Sequence, residues 1–175
     1  MPNTKQTGST LVELTVVVFI ISILFLIAIR TYANLNSSNE YIKARLLLTE
    51  ISLSVKDWKA RNSYYPDDIG SSEIGQKIAP GKPQDRVKWP SSIPFDSVFD
   101  YDHWPLPENG RCYVHVAFWG QNRKRDYELS EIVAQPQQLK KVGDDLVLGI
   151  DIYDCECNIQ ETIRECWERT GKKEY

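Results

Sequence analysis

Apolar side chains dominate the chain near its N-terminus. From Leu14 to Ile29 the sequence carries no charge, and only Thr15 and Ser22 interrupt the apolar side chains. Together with the apolar residues just before it, this run approaches the roughly 20 residues that a membrane-spanning helix needs. Glu13 lies at its start, and a carboxylate near the end of such a helix costs enough free energy to suggest a function. The pattern predicts a membrane-spanning helix over residues 9–30.

After Arg30 the pattern changes from wholly apolar to amphipathic without a break. Residues 31–62 contain no Gly and no Pro, and apolar residues recur at helical spacing. The predicted buried stripe comprises Leu47, Ile51, Val55 and Trp58, widened by Ile42, Leu46 and Leu53. We therefore predict one helix from about Leu11 to Asn62, whose second half packs on a folded domain. Residues 34–39 are polar and poor in helix formers, so we expect a bend or a melted turn there.

The rest of the chain divides into a loop-rich region and a predicted sheet. Residues 63–111 contain seven prolines and are interpreted as a variable loop region. Residues 112–119 alternate in polarity and predict a strand, and residues 123–130 are a candidate returning strand. A further strand with one apolar face is predicted from Leu146, Leu148, Ile150 and Ile152. With a short helix beginning at Asn158, residues 112–175 predict an antiparallel sheet of three or four strands and a C-terminal helix.

Charge argues against a nucleic-acid partner. The formal net charge is −3, so the chain as a whole has no electrostatic footprint for nucleic acid. One basic run, Arg123-Lys124-Arg125, follows Gly120 and fits a solvated turn better than a polyanion site.

Motifs for catalysis are absent from the sequence, which contains no G-x-S-x-G, no P-loop and no H-E-x-x-H. The two histidines, His103 in a predicted loop and His115 on the outer face of a predicted strand, are interpreted as structural. We therefore expect no enzymatic activity and no cofactor. Calcium is a weak alternative, with oxygen ligands from one of two aspartate sets. These sets are Asp144, Asp145 and Asp151, or Asp96, Asp100 and Asp102.

The N-terminal residues resemble a known processing signal. A short polar leader containing Lys5, a Gly8-Ser9 junction, Glu13 and the apolar helix resemble the class III signal of type IV pilins and pseudopilins. The resemblance is close over residues 5–32. It implies an α+β pilin-like fold, in which the long N-terminal helix packs on a small antiparallel sheet. It also implies that a prepilin peptidase removes the leader, residues 1–8, and methylates the new amine of Ser9. Glu13 would then form a salt bridge with the Ser9 amine of a neighbouring subunit.

The resemblance also implies partners and a location. The partners are the prepilin peptidase, other pilin or pseudopilin subunits, an inner-membrane assembly platform and the lipid bilayer. The chain would cross the bacterial inner membrane once, with its C-terminal domain extracytoplasmic, and then enter a pilus or pseudopilus. The family usually has Phe or Met in place of Ser9 and Pro in place of Arg30. These departures favour a minor or specialised subunit.

Other interpretations of the N-terminal segment remain open. Within the family, the alternative is a type II secretion pseudopilin. From another class, it is a membrane-anchored extracytoplasmic binding or enzymatic domain with no filament role. An ordinary secretory signal fits less well, because its apolar core spans about 7–15 residues. The basic residues Arg30, Lys43 and Arg45 favour a cytoplasmic C-terminal side by the positive-inside rule. We follow the resemblance because the junction and Glu13 are the more specific signal.

Four cysteines, Cys112, Cys155, Cys157 and Cys166, lie outside the apolar segment. In an exported chain this even number favours disulfides, and the absence of a nearby His makes a zinc site a poor second interpretation. Cys155 and Cys157 are too close in sequence to bond each other easily in an extended chain. We predict that Cys166 bonds one of these two and that the other bonds Cys112.

Overall fold

A computed structural model describes residues 11–67, 80–82, 85–106, 110–128, 132–156, 165, 166 and 169. The chain divides into two compact units, Met1–Asn39 and Glu40–Tyr175. The helix α1, Leu11–Asn62, supplies the described part of the first unit and the first element of the second. It ends at the residue predicted from the sequence, and residues 34–39, where we expected a bend or a melted turn, are helical.

The strands of the second unit form a four-stranded antiparallel sheet in the order β3-β4-β6-β5. These strands are β3 (Phe99–Pro105), β4 (Arg111–Phe118), β5 (Leu139–Val142) and β6 (Asp145–Asp154). A separate two-residue pair, β1 (Gly81–Lys82) and β2 (Asp85–Arg86), and a short 3-10 helix at Pro94–Asp96 precede the sheet. The α+β prediction of a long N-terminal helix with a small antiparallel sheet is therefore confirmed. Of the predicted C-terminal helix only Glu165, Cys166 and Arg169 are described, and these are helical.

Two strand assignments from the sequence were wrong. Residues 123–128 are not a strand, and the hairpin partner of β6 is instead β5. The predicted loop region 63–111 contains β3, which lies at one edge of the sheet beside β4. The strand escaped notice because prolines surround it, although proline is well tolerated at a sheet edge.

The main core lies between the second half of α1 and one face of the sheet. Helix residues Ala44, Leu48, Ile51, Val55 and Trp58 pack with Phe99 and Tyr101 of β3 and with apolar residues of β4 and β6. The strand residues from β4 and β6 are Val114, Val116, Phe118, Leu146, Leu148 and Ile150. Alternation along β4 is therefore as predicted.

The predicted buried stripe on the helix was only partly correct. Ile51, Val55 and Trp58 are buried, but Ile42, Leu46 and Leu53 are 55%, 67% and 62% exposed. The buried face is completed by Ala44 and Leu48 instead. The small side chain of Ala44 lets the helix approach the sheet, which turns the larger Ile42 and Leu46 away from the core.

A β-bulge in β6 changes which side chains face the helix. Val114 pairs with Asp151 while the next residue, His115, pairs with Gly149, so Ile150 is the extra residue. Because a bulge reverses the alternation beyond it, Asp151 faces α1, where its carboxylate binds Lys59. Ile152, predicted on the apolar face, instead pairs with Tyr113.

The other face of the sheet is covered by the described parts of the chain between β4 and β5. Trp119, Tyr127 and Ile132 from this segment pack on Ala117 and Val147. The segment crosses the sheet at Gly149, where an added Cβ would clash with the backbone carbonyl oxygens of Ala134 and Gln135. Gly149 therefore allows the covering backbone to lie directly on β6.

Candidate assembly site

The apolar half of α1 presents large hydrophobic side chains on every side. Between Leu11 and Ile29 these side chains are exposed by 44% at Ile23 to 79% at Leu11. The described residues contain one helix that is long and apolar enough to cross a membrane, by length and composition. A lipid bilayer or the apolar helices of other subunits would remove this surface from water.

Hydroxyl groups in this segment are satisfied within the helix itself. Thr15 Oγ1 donates to the Val12 carbonyl oxygen at 2.8 Å, and Ser22 Oγ donates to the Val18 carbonyl oxygen at 2.7 Å. Because hydrocarbon offers no hydrogen-bond partner, such internal bonds let both residues lie in an apolar environment. The two polar interruptions noted in the sequence are thus compatible with a membrane-spanning segment.

Glu13 lies in the first turn of α1. A carboxylate is favoured there because the amino-terminal end of a helix carries partial positive charge. The predicted processing residues Gly8 and Ser9 lie outside the described residues. The pairing of Glu13 with a neighbour's Ser9 amine therefore stays a prediction.

The turn between β5 and β6 contains two of the calcium candidates, Asp144 and Asp145. Asp144 Oδ2 accepts the backbone N–H groups of Gln121 at 2.6 Å and Asn122 at 2.9 Å, and Oδ1 accepts the Tyr41 hydroxyl. Burial alone would raise the pKa of Asp144, but these hydrogen bonds outweigh it and hold the pKa below its ordinary value. In turn, burial and the bond to Asp144 raise the pKa of Tyr41 to about 12. Asp144 thus ties the helix to two turns of the sheet.

Asp145 is fully buried beside this turn. Its Oδ2 accepts the backbone N–H of Asp126 at 2.7 Å, while Oδ1 has no hydrogen-bond partner among the described residues. Burial, with the nearby negative charges of Asp126 and Asp144, raises the pKa of Asp145 to about 7. The group is therefore largely protonated in slightly acidic solution.

Asp151, the third calcium candidate, lies six residues further along β6 and has different partners. Its Oδ2 accepts the Tyr65 hydroxyl at 2.7 Å and lies 3.1 Å from Lys59 Nζ. No group of three or more potential metal ligands occurs in the described part of the chain. Of the alternative set, Asp96 is exposed and lies 3.8 Å from Arg123 Nη2, whereas Asp100 and Asp102 are buried. The structure therefore brings neither aspartate set together as one site.

Both histidines are buried in separate polar clusters. His103 Nδ1 lies 3.1 Å from the Pro66 carbonyl oxygen, so it donates, and Nε2 accepts from the Tyr153 hydroxyl at 2.7 Å. Burial lowers the pKa of His103 to about 4, so the ring is neutral in neutral solution. On the opposite face, His115 Nε2 lies 2.9 Å from Asp102 Oδ2. His103, predicted in a loop, lies instead in β3, whereas His115 lies on the predicted outer face of β4.

The basic run contributes contacts to the surrounding loops. Arg123 Nε donates to the Phe95 carbonyl oxygen at 3.2 Å, and the Arg125 guanidinium lies 5.7 Å from the centre of the Tyr127 ring. Lys124 is exposed. These contacts fit the predicted surface turn.

A disulfide joins Cys112 of β4 to Cys155, with Cα atoms 5.6 Å apart. This is one of the two bonds to Cys112 that the sequence analysis allowed. Cys166 is also disulfide-bonded and buried. Its remaining candidate partner, Cys157, lies outside the described residues.

Two features were missed from the sequence. One is the burial of Asp100 and Asp102 on the outer sheet face, for which the alternating run from Phe99 to Trp104 was an available signal. The other is the exposed apolar face of α1 formed by Ile42, Leu46 and Leu53. These three residues were predicted on the buried side because all the apolar positions of this helix half were assigned to one broad face.

Comparison with known proteins identifies the N-terminal segment. Residues 3–29 match the family model for the prokaryotic N-terminal methylation motif. This motif is the class III prepilin signal of type IV pilins and pseudopilins, and it contains Gly8, Ser9 and Glu13. It implies processing by a prepilin peptidase and assembly with other pilin subunits. Comparisons with curated proteins and with solved structures find no match.

Proposed function

We propose that this chain is a minor or specialised type IV pilin-like subunit. A prepilin peptidase cleaves it between Gly8 and Ser9 and methylates Ser9, and the product joins an extracytoplasmic filament through its apolar helix. The observation that carries the proposal is the methylation motif at residues 3–29. The exposed apolar surface from Leu11 to Ile29 supports it, because that surface suits both a membrane and a packed helical filament core.

The proposed role is structural rather than enzymatic, and it needs no cofactor. In the Glu40–Tyr175 unit, the carboxylates of Asp144 and Asp151 bind donors from α1 or neighbouring loops. These contacts fit a domain that is rigid and displayed on a filament. The N-terminal signal favours an inner-membrane precursor with the second unit on the extracytoplasmic side.

Processing is the decisive test. We expect the intact mass of the membrane-extracted protein to lack residues 1–8 and to include one methyl group on Ser9. A strain without its prepilin peptidase should retain the full-length chain. Gly8→Ala should be processed at least in part, whereas Gly8→Val should not, because a bulky side chain hinders the peptidase cleft. A full-length mature chain, or cleavage after Ala33, would refute the proposal.

The type of filament is tested separately. A deletion strain that loses surface pili or a pilus-dependent activity would support the pilin assignment. Loss of protein secretion with normal pili would instead assign the chain to a type II secretion pseudopilus.

A further inference from the structure

The second half of α1 has an exposed apolar face that the described part of the chain does not cover. Ile42, Leu46 and Leu53 are 55%, 67% and 62% exposed. At 3.6 residues per turn their directions lie within about 40° of one another and about 120–180° from the buried Ala44, Leu48 and Val55. Single exposed apolar residues are ordinary on a protein surface. Three that are aligned along one helix, opposite its packed face, form a continuous strip.

The spacing of this strip suits a second helix. Ile42, Leu46, Thr49 and Leu53 are separated by four, three and four residues. This is the alternating spacing of the inward positions of a two-stranded coiled coil. Thr49 is exposed and continues the strip between two leucines. We call these four residues the outer seam.

Charges beside the outer seam indicate what the second helix is. Arg45 lies on one side of the seam and Glu50 on the other, and both are exposed. Their separation of five residues is the spacing at which flanking positions of two parallel, in-register helices meet. In a pair of identical chains, each Arg45 would face the Glu50 of the other copy. Glu50 also binds Lys88 of its own chain, and a carboxylate can accept from both cations.

We propose that the outer seam is a docking surface for a second copy of this chain, running parallel and in register. The proposal rests on the membrane-anchoring part of the proposed function. Two copies anchored by the same N-terminal segment leave the bilayer in the same direction, which makes the parallel arrangement the natural one. A seam of about two heptads is too short for a stable pair in dilute solution. Confinement to one membrane raises the effective concentration and compensates for this.

Cysteine cross-linking of the full chain in its native membrane tests the seam. Leu46→Cys and Leu53→Cys place identical thiols opposite each other in an in-register pair, so mild oxidation should give a disulfide-linked dimer of each. Lys43→Cys is the matched control, because Lys43 is exposed on the same helix but flanks the seam on the Glu50 side, where an in-register pair keeps identical residues farther apart than in the seam itself. Lys124→Cys controls for random collision from a surface loop. The unsubstituted chain measures the background dimer yield that arises from its native cysteines.

Charge reversal then tests the orientation. In the Leu53→Cys background, Arg45→Glu or Glu50→Arg should lower the dimer yield by about twofold to fivefold, as expected for exposed ion pairs. The combined Arg45→Glu and Glu50→Arg chain should recover the yield. Recovery is specific to two copies that face each other, because a different partner would not change its own charges.

Several outcomes would overturn the proposal. Equal cross-linking at Lys43 and Leu46 would show collision rather than docking. Cross-links only to another protein would identify a different subunit as the occupant, and the absence of dimers at both seam positions would leave the seam unpaired. The unprocessed Gly8→Val chain should still form the seam dimer. If the wild-type chain forms dimers but is not processed, the pilin assignment is rejected and the seam proposal stands. If it is processed but forms no dimers, the seam proposal is rejected and the pilin assignment stands.

Discussion

Two buried groups of opposite character make the pH dependence of stability a sharp test of the structure. Asp145 and His103 lie on different sides of the sheet, and burial perturbs both pKa values. For Asp145 the pKa rises from 3.8 to about 7, and for His103 it falls from 6.5 to about 4. In each case the folded protein favours the neutral form, because a buried charge is poorly solvated.

The two effects on the free energy of unfolding have opposite signs. Between pH 3.8 and about 7 the unfolded chain releases the Asp145 proton while the folded chain keeps it, so stability falls as pH rises. Between about pH 4 and pH 6.5 the unfolded chain binds a proton on His103 that the folded chain excludes, so stability rises with pH. At about 1.4 kcal/mol per pKa unit, the full spans amount to about 4 kcal/mol for Asp145 and about 3 kcal/mol for His103.

The two contributions nearly cancel from about pH 4.5 to about pH 6.5, where each changes by about 2–3 kcal/mol. Asp145→Asn removes the Asp145 contribution, while the amide oxygen of the new Asn side chain can still accept the Asp126 N–H. The variant should therefore gain about 2–3 kcal/mol of stability relative to its own value as pH rises through this window. Above about pH 7 both profiles should run parallel, because neither buried group titrates further.

Urea unfolding of a soluble fragment beginning at residue 31 measures this effect. The fluorescence of Trp58 and Trp119, both buried, reports unfolding, and the disulfides are kept oxidised throughout. The difference in unfolding free energy between the wild type and Asp145→Asn isolates the Asp145 titration. If that difference is constant across the pH window, Asp145 is not held neutral in the folded state and the reasoning fails.

Two further predictions concern the disulfide and the N-terminal carboxylate. The Cys112–Cys155 bond closes a loop with a sequence separation of 43, so replacing both cysteines by Ala should cost about 4 kcal/mol in the chain-entropy model. An unchanged urea midpoint in that double variant would contradict it. Glu13→Leu should insert stably in the membrane but fail to enter filaments, since it cannot pair with a neighbour's Ser9 amine. Thr15→Val, which removes only an internally bonded hydroxyl, should assemble normally, and filament entry by Glu13→Leu would reject the pairing.

Local chemistry made the helix and the central strand predictable. The end of α1 followed from Asn62 and Ser63, which come after a long run without Gly or Pro. The alternation in β4 correctly separated Val114 and Val116 from Tyr113 and His115. In both cases the signal lies within one element and does not depend on what that element contacts.

Long-range packing explains what the sequence did not reveal. Alternation within β6 cannot locate the bulge at Ile150, because the bulge is defined by pairing with Val114 and His115 on another strand. Likewise, α1 has apolar residues on two faces, and periodicity alone does not say which face meets the sheet. Which face of α1 packs on the sheet depends on how closely Ala44 and Leu48 allow the helix to approach the strands.

Polar contacts at its two ends fix how the second half of α1 lies on β6. Tyr41 binds Asp144 in the turn just before β6, and Lys59 binds Asp151 in the second half of β6. The helix advances about 27 Å from Tyr41 to Lys59. An extended chain advances about 23 Å from Asp144 to Asp151.

Because these spans are similar, both contacts form while Leu48, Ile51 and Val55 fill the space between them. Apolar burial supplies most of the attraction, but it would tolerate sliding or rotation of the helix. The Tyr41 and Lys59 contacts limit both motions. The same constraint keeps Ile42, Leu46 and Leu53 on the surface, so the interactions that define this fold also present the outer seam to a second chain.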